Sequence, residues 1–401
     1  MARSTLDVAV VGGGPAGLTA AIALAGAGLS TALVAGPARP ADNRTTALLA
    51  SSVTALDTIG VWSDCRASAA PLRTLRIVDD TRRLWRAPEI KFEAAEIGLD
   101  AFGWNIENRY LVAALARRGR ALANLSWIDD AAVAVTLDDH AVTIALTGGD
   151  EIVAPLVVAA DGQKSLCRAA AGIETTGWSY PQTALTFSLG HARPHQDTST
   201  EFHTESGPFT LVPLPGSRSS LVAVVTPAEA TTWDLEDAAA LAETIERRAH
   251  SILGKVVVEP GHGAFPLAVR TARRFAEHRI ALVGEAAHVI PPIGAQGLNL
   301  GLRDAATIGE LAAQARHDGA DIGGHAVMDR YEQARRADVT TRTTAVDVLN
   351  RSLLSDFFPV QGARGLSLYL LDRIGPLRRA VMREGTAPAA AQPRLMRGEA
   401  L

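Results

Sequence analysis

The chain has 401 residues, 47% of them hydrophobic and 20% charged, with a formal net charge of -4. That length exceeds what one hydrophobic core usually organises, so two interleaved domains are expected, and the composition is that of an ordered α/β enzyme, not a disordered or fibrous chain. Charges of both signs are interspersed, which leaves no basic field for a phosphate backbone and excludes nucleic acid as a partner.

Cys65 and Cys167 stand far apart and outside any Cys-x-x-Cys spacing, so neither a disulfide framework nor a zinc site is expected. The N-terminus enters a strand almost at once, without the basic segment and apolar run of an export signal. The most apolar stretch, Thr19 to Val34, is broken by Gly26 and Gly28. The expectation is a cytoplasmic protein that can touch a membrane without crossing it.

Residues 6–35 read as a β-α-β unit: an apolar strand from Leu6 to Val11, a glycine turn, an alanine-rich helix from Pro15 to about Ala27, and a strand from Thr31 to Val34. From Arg44 to Gly60 a polar turn leads into a helix, and Leu75 to Val78 and Arg83 to Trp85 look like short strands. Asn108 can cap a helix running through Leu111 and Leu115. Strands follow near 125–127, 133–137 and 142–146, then one apolar strand from Glu151 to Ala160 that ends at Asp161-Gly162. Between about 175 and 270 the texture changes to short alternating strands near 184–189, 209–212 and 220–225, with one helix near 237–249, and this reads as a second domain. Residues 279–283 return to a buried strand, Gly297 to about Arg316 forms an amphipathic helix, and helical patterns fill the rest. The stretch from Gly385 onward reads as a loose tail.

Gly12-Gly13-Gly14-Pro15-Ala16-Gly17 matches Gly-x-Gly-x-x-Gly between a strand and a helix, the context that makes it a dinucleotide cradle. Gly12 permits the tight turn, Gly14 lets the backbone approach a pyrophosphate, and Gly17 permits close helix-strand packing, while the helix N-terminus offers unpaired N–H groups to the anion. The spacing leaves FAD and NAD both open. An acidic residue normally ends the second strand to hold the ribose; here that position is Ala35, with Asp42 and Arg44 close downstream as substitutes.

Two further strings follow strands: Val157 to Ser165 with Arg168 beyond it, and Arg279 to His288 continuing through Pro291-Pro292-Ile293-Gly294-Ala295-Gln296-Gly297-Leu298-Asn299 to Asp304. With the glycine cradle and Arg44-Thr45-Thr46-Ala47-Leu48, they make nearly the whole chain resemble the FAD-dependent aromatic hydroxylases of the p-hydroxybenzoate hydroxylase type. Within these it is most similar to the polyprenylphenol hydroxylases of ubiquinone biosynthesis, chiefly on Arg44–Leu48 and the Gln296-containing string, and more weakly on Arg379 to Gly385.

The resemblance implies a Rossmann-like FAD-binding domain (1–75, 100–175 and 273–345) and an inserted mixed β-sheet substrate domain (76–99 and 176–272), followed by a helical region and tail (346–401). As cofactor-binding residues it implies Gly12, Gly14, Pro15, Ala16, Gly17, Arg44, Asp161, Gly162, Gly284, Glu285, Gly297, Leu298 and Asn299. Glu285 stands where the family usually has Asp; it keeps the carboxylate for the ribityl hydroxyls but moves it by a methylene. The helix from Gly297 would aim its positive end at the flavin pyrimidine edge. Pro291, Pro292 and Gly294 would line the reacting ring, and Phe209, Val212, Leu214 and Phe265 either line the apolar side of the cleft or pack the core.

The implied reaction is hydroxylation of an electron-rich phenol: NADPH or NADH, binding transiently, reduces FAD, dioxygen adds to the flavin at C4a, and the hydroperoxide transfers one oxygen. A hydroxylase of a small soluble aromatic acid, a flavin reductase on the same fold and a non-catalytic flavin-fold subunit remain as rivals. His288 reads as a packing and hydrogen-bonding residue beneath the flavin in preference to a proton carrier. His191 and His195 stand four apart, but Pro194 between them argues against a shared helix face, so no metal is expected. Phe357 to Arg379, apolar with several arginines, is an interfacial face for membrane contact or a buried core helix. A biosynthetic complex is a further possible partner.

Overall fold

The computed structural model describes residues 3–36, 44–81, 86–354, 358–386 and 392–401. A six-stranded sheet runs in the order Ala276–Glu277, Ile280–Leu282, Leu156–Ala159, Val8–Val11, Thr31–Val34, Leu125–Ile128, and all neighbours beyond the first pair are parallel. Parallel strands need helical crossovers that cover both faces, which is why Val8–Val11 and Leu156–Ala159 are apolar and buried throughout. Helix α1 (Pro15–Gly26) has no polar face because it lies between this sheet and helix α2 (Gln296–His317).

The larger sheet takes the path His288–Val289, Gly263–Ala272, Thr175–His191, Arg218–Val225, Pro208–Leu214, Thr198–His203, Thr74–Asp79, Ile90–Glu93. One face buries Leu185, Phe187, Phe209, Leu211 and Leu221 against Trp233, Leu241 and Ile245 of the helices Pro227–Leu235 and Ala238–Arg248. The other face meets a small sheet of Thr45–Leu49, Gly103–Glu107 and Ala69–Pro71, where Thr45 Oγ1 donates to Ser220 Oγ at 2.9 Å and Asn105 Nδ2 to the same oxygen at 3.1 Å. Helices α3 (His325–Leu354), α4 (Phe358–Arg373) and α5 (Gly375–Thr386) complete the chain's helical part.

Beyond strands it did not foresee, such as Ala69–Pro71, Ile90–Glu93 and Gly103–Glu107, the sequence expectation differs from the structure at five elements. The polar turn after Arg44 is a strand, Thr45–Leu49, antiparallel to Gly103–Glu107, and the helix Ala50–Thr58 follows it; a partner more than 50 residues away leaves no local signal. Asn108 does not cap its helix but begins it, and its Oδ1 accepts from Thr46 Oγ1 at 2.6 Å, tying helix to strand. The single strand from Glu151 to Ala160 is two strands in different sheets, Glu151–Ala154 and Leu156–Ala159. They part at Pro155, which has no N–H for a ladder and whose carbonyl accepts from Arg279. Helix Pro227–Leu235 escaped notice although Thr226 and Glu229 form a capping box at its start.

The loose tail is the fifth correction. Residues 375–386 are helical, and at the far end Leu395 and Met396 are 2% and 3% exposed within the core built around the parallel sheet. Arg394 N donates to Glu310 on α2 at 2.8 Å. Leu395→Ala should therefore lower stability by about 2–4 kcal/mol, read as a reduced denaturant midpoint. The expected strand Arg83 to Trp85 and the ribose candidate Asp42 lie outside the described residues.

Candidate functional site

The glycine turn separates two requirements. Gly12 has φ +120°, and a Cβ there would sit 2.2 Å from Ala160 O; a Cβ on Gly17 would sit 2.1 Å from Gly12 O. Both are demanded by the chain itself. Gly14 has φ -75° and ψ 170°, open to any residue, and a Cβ on it would meet nothing within 4 Å. The space over Gly14 is open, as a ligand pyrophosphate requires. Gly14 precedes α1, Pro15 is its first residue, and no side chain caps it and no acid stands in its first turn, so the helix's positive end remains available to an anion.

Three strand ends converge on this turn. Gly162 (φ +83°) follows Leu156–Ala159. Asp161 Oδ2 accepts from Cys167 N at 3.1 Å, while its Oδ1 is buried with no protein partner. A carboxylate oxygen orphaned beside Gly12 fits a hydroxyl-bearing ligand. Arg168 bridges this turn to the next strand end, donating to Gln163 O at 2.7 Å and Ala286 O at 2.8 Å. There Gly284 (φ +62°) is buried and Glu285 is exposed. Ala16 is the pivot: a Cβ added to Gly284 or Gly301 would approach its methyl to 3.4 and 3.2 Å.

Asp304 on α2 fixes the Gly284 turn from beneath. Its Oδ2 accepts from Gly284 N at 2.9 Å and pairs with His288 Nε2 at 2.7 Å; its Oδ1 accepts from Arg335 Nε of α3 at 2.6 Å. Burial opposes charge on Asp304, but His288 and Arg335 outweigh it and hold the carboxyl below the usual aspartate range. Arg335 Nη1 also donates to Asp338 at 2.9 Å, and Asp338 accepts from Arg303 at 2.7 Å and Arg342 at 2.9 Å. Arg342 Nη1 then reaches Gln296 Oε1 at 2.9 Å, at the first residue of α2. One buried chain of charges thus connects the Gly284 turn to the loop heading α2.

In that loop Pro291 is buried and Pro292 and Gly294 are exposed; Gly294 (φ +65°) and Ala295 (φ +55°) are both left-handed. Gln296 Nε2 holds Gly294 O at 2.9 Å. Gly297 is exposed and Leu298 half-buried, with no side chain capping the helix. Asn299 is otherwise occupied: its Oδ1 accepts from Leu49 N at 2.9 Å and its Nδ2 donates to Ala47 O at 2.8 Å and Ala295 O at 2.5 Å. It locks α2 to the strand Thr45–Leu49.

Sheet register sorts the residues expected to line a substrate cleft. Phe209 belongs to the helix-covered face and is core. Paired residues share a face, so Phe265 lies with Ala184 and Val224, Thr186 with Val222 and Thr210, and Ser220 with Val212, all opposite that core. On this second face Thr186, Thr210, Val212 and Val222 are only half-buried and Phe265 is 39% exposed, whereas Leu214 is buried. The Arg44 guanidinium lies 5.4 Å from the Phe265 ring centroid. The guanidinium thus lies against this face.

Some expected features carry no site. His191 Nε2 pairs with Ser219 Oγ, and among the described residues no group of His, Cys, Asp and Glu is arranged to hold a metal. Cys65 and Cys167 are free and buried, and burial pushes the Cys65 thiol up to about 11. A depression of about 390 Å³ between Asp7, Pro155 and Arg316 opens at the amino ends of the parallel strands, the end opposite Gly12 and away from where α/β sheets bind ligands.

An open-faced glycine turn, an orphaned carboxylate oxygen and two uncapped helix N-termini fit FAD, and residues 5–346 match the FAD binding domain family, to which this chain belongs. It is 35% identical over 417 residues to the ubiquinone hydroxylase UbiL of Rhodospirillum rubrum, covering 99% of this chain and 94% of the relative. With the 3-demethoxyubiquinol 3-hydroxylase of Escherichia coli it is 31% identical over 393 residues, covering 96% and 99%. The chain is thus a member of the ubiquinone-biosynthesis hydroxylase family of FAD-dependent monooxygenases. Its fold is that of p-nitrophenol 4-monooxygenase PnpA from Pseudomonas putida, with a TM-score of 0.78 at 20% identity over 96% of this chain and 98% of the other.

Proposed function

We propose that the protein hydroxylates the phenolic ring of a polyprenylated intermediate of ubiquinone biosynthesis, using FAD, dioxygen and NADPH or NADH. The carrying observation is the half-open face on which Val212, Val222 and Phe265 stand with Thr186 and Thr210, which offers an apolar tail a surface. When bound, FAD supplies the redox chemistry of oxygen transfer. Gly12, Gly14, Pro15, Ala16 and Gly17 would hold its pyrophosphate, Asp161, Gly162, Gly284 and Glu285 its polyol, and Gly297 and Leu298 its ring edge. The chain's own tasks are to orient the phenol and exclude water: Pro291 and Pro292 wall the site, and Phe265 with Arg44 offers an aromatic and cationic edge to the ring. His288 moves no proton here; it is buried against Asp304. Arg44 also carries a second reading, a small aromatic acid whose carboxylate it would pair.

The reading places the protein in the cytoplasm beside the inner membrane. Among the described residues, no helix is long and apolar enough to cross it.

The test is the absorption spectrum of purified protein with added FAD, anaerobic reduction by NADPH or NADH, and re-oxygenation with prenylated phenols and hydroxybenzoates. Hydroxylated prenylphenol supports the proposal. Product from hydroxybenzoates alone selects the second reading, reoxidation without product a reductase, and no flavin binding a non-catalytic subunit. Phe265→Ala should raise KM for a prenylphenol about tenfold, equivalent to ~1.4 kcal/mol of lost apolar contact, with FAD affinity unchanged.

A further inference from the structure

Helices α4 and α5 carry an apolar stripe that nothing in the described structure covers. Leu366, Tyr369, Leu370, Ile374, Leu377 and Val381 are all exposed, nearly half of the large apolar side chains that the described residues leave exposed. Leu366, Leu370, Ile374, Leu377 and Val381 recur three or four residues apart, with Tyr369 next to Leu370. Helical hydrogen bonding bridges the junction of the two helices, Ile374 N to Leu370 O at 2.8 Å and Arg378 N to Ile374 O at 2.9 Å, so the stripe continues from one helix into the next. A patch of this kind on a monomer marks an interaction surface.

The inner side of α5 is firmly seated. Met382 is buried with Ile90, Phe92 and Phe102 at the edge of the substrate sheet, and Arg378 pairs with Glu96 at 2.6 Å. Arg342, which also holds Gln296 at the head of α2, donates to Glu384 O at 3.4 Å. The stripe therefore faces outward from a helix seated on the edge of the large sheet and joined through Arg342 to the head of α2.

Its polar border selects the occupant. Arg373, Arg379 and Arg383 are exposed on the same two helices, against Asp372 and Glu384, a local excess of one positive charge in a protein of net charge -4. Tyr369, with Arg373 lying 5.4 Å from its ring centroid, combines an apolar body and a polar tip. A second copy laid on the same face by a two-fold axis would set these arginines against one another. An anionic bilayer surface would instead take the apolar stripe into its acyl boundary and pair its phosphates with the guanidinium groups.

We infer that α4 and α5 form an in-plane docking surface for an anionic phospholipid bilayer, seated so that a membrane-dissolved substrate enters along the edge of the large sheet. The entry route, though not the docking, rests on the substrate being a prenylated phenol.

The experiment is sedimentation of the FAD-loaded protein with phosphatidylcholine vesicles and with vesicles containing about one-third phosphatidylglycerol, at low and high salt. The wild type should pellet with the anionic vesicles at low salt and at least tenfold less with neutral ones. The double variant Leu370→Glu, Leu377→Glu should stay in the supernatant with unchanged melting temperature, FAD content and turnover of a short-tailed soluble phenol. A wild type that does not pellet, or a variant that pellets equally, overturns the docking. Sedimentation velocity without lipid that shows a dimer dissolved by the same variant overturns it in favour of self-association. If the wild type docks but turns over no phenol, the substrate reading fails while the docking surface stands.

Discussion

A Gly14→Val protein should fold with the melting temperature of the wild-type apoprotein and bind FAD about a hundredfold more weakly, a loss of ~2.7 kcal/mol. The two halves of that result have separate causes. The Gly14 backbone is extended and a Cβ on it meets no protein atom within 4 Å, so the folded chain tolerates a side chain. A branched side chain there occupies the space through which the pyrophosphate must approach the N–H groups of α1. Gly12→Ala is the contrasting control. Its Cβ would lie 2.2 Å from Ala160 O at a φ of +120°, so it should lose stability before any question of ligand arises. Fluorescence quenching of FAD on titration, beside a thermal melt of each apoprotein, reads both quantities. Wild-type affinity in Gly14→Val would place the pyrophosphate elsewhere.

Asp304→Ala should be the most destabilising single change near the site, by about 3–5 kcal/mol. The residue is fully buried, and removing it strands the Arg335 guanidinium, His288 and Gly284 N together. Since Gly284 N loses the group that fixes its turn, FAD affinity should fall with stability, and adding FAD should recover less of the melting temperature than in wild type. Urea denaturation in the apo and FAD-loaded forms measures both. The same network gives stability a pH dependence of defined sign. Burial raises the Asp304 and Asp338 carboxyls, but the surrounding arginines, with His288 for Asp304, win and hold both below the ordinary aspartate range. A carboxyl that binds its proton more weakly folded than unfolded stabilises the fold above the unfolded value, about pH 4, and that contribution fades as pH falls toward the depressed folded values. Melting temperature should therefore drop steeply below about pH 4. Asp338→Asn should melt lower at neutral pH and lose less on acidification.

Within residues 6–35, the alternation of a strand, a glycine turn and an alanine-rich helix determined the cradle, because each glycine's task is local: a turn, a close approach, a packing contact. The Pro291–Asp304 string likewise marked the α2 N-terminus, since a proline-glycine loop ahead of an amphipathic helix is a local pattern. Tertiary structure alone decided what those segments touch. Asp304 stood in that string, but its partner Arg335, and the Asp338 that Arg335 also holds, lie in α3, where nothing in a helical pattern distinguishes a buried arginine from a solvated one. The strand Thr45–Leu49, the division at Pro155 and the seat of Leu395 depend on partners tens to hundreds of residues away. Which of Phe209, Val212, Leu214 and Phe265 faces the cleft was a question of register: side chains alternate with a period of two, and only the pairing of Val212 with Ser220 and of Phe265 with Ala184 fixes which set points out.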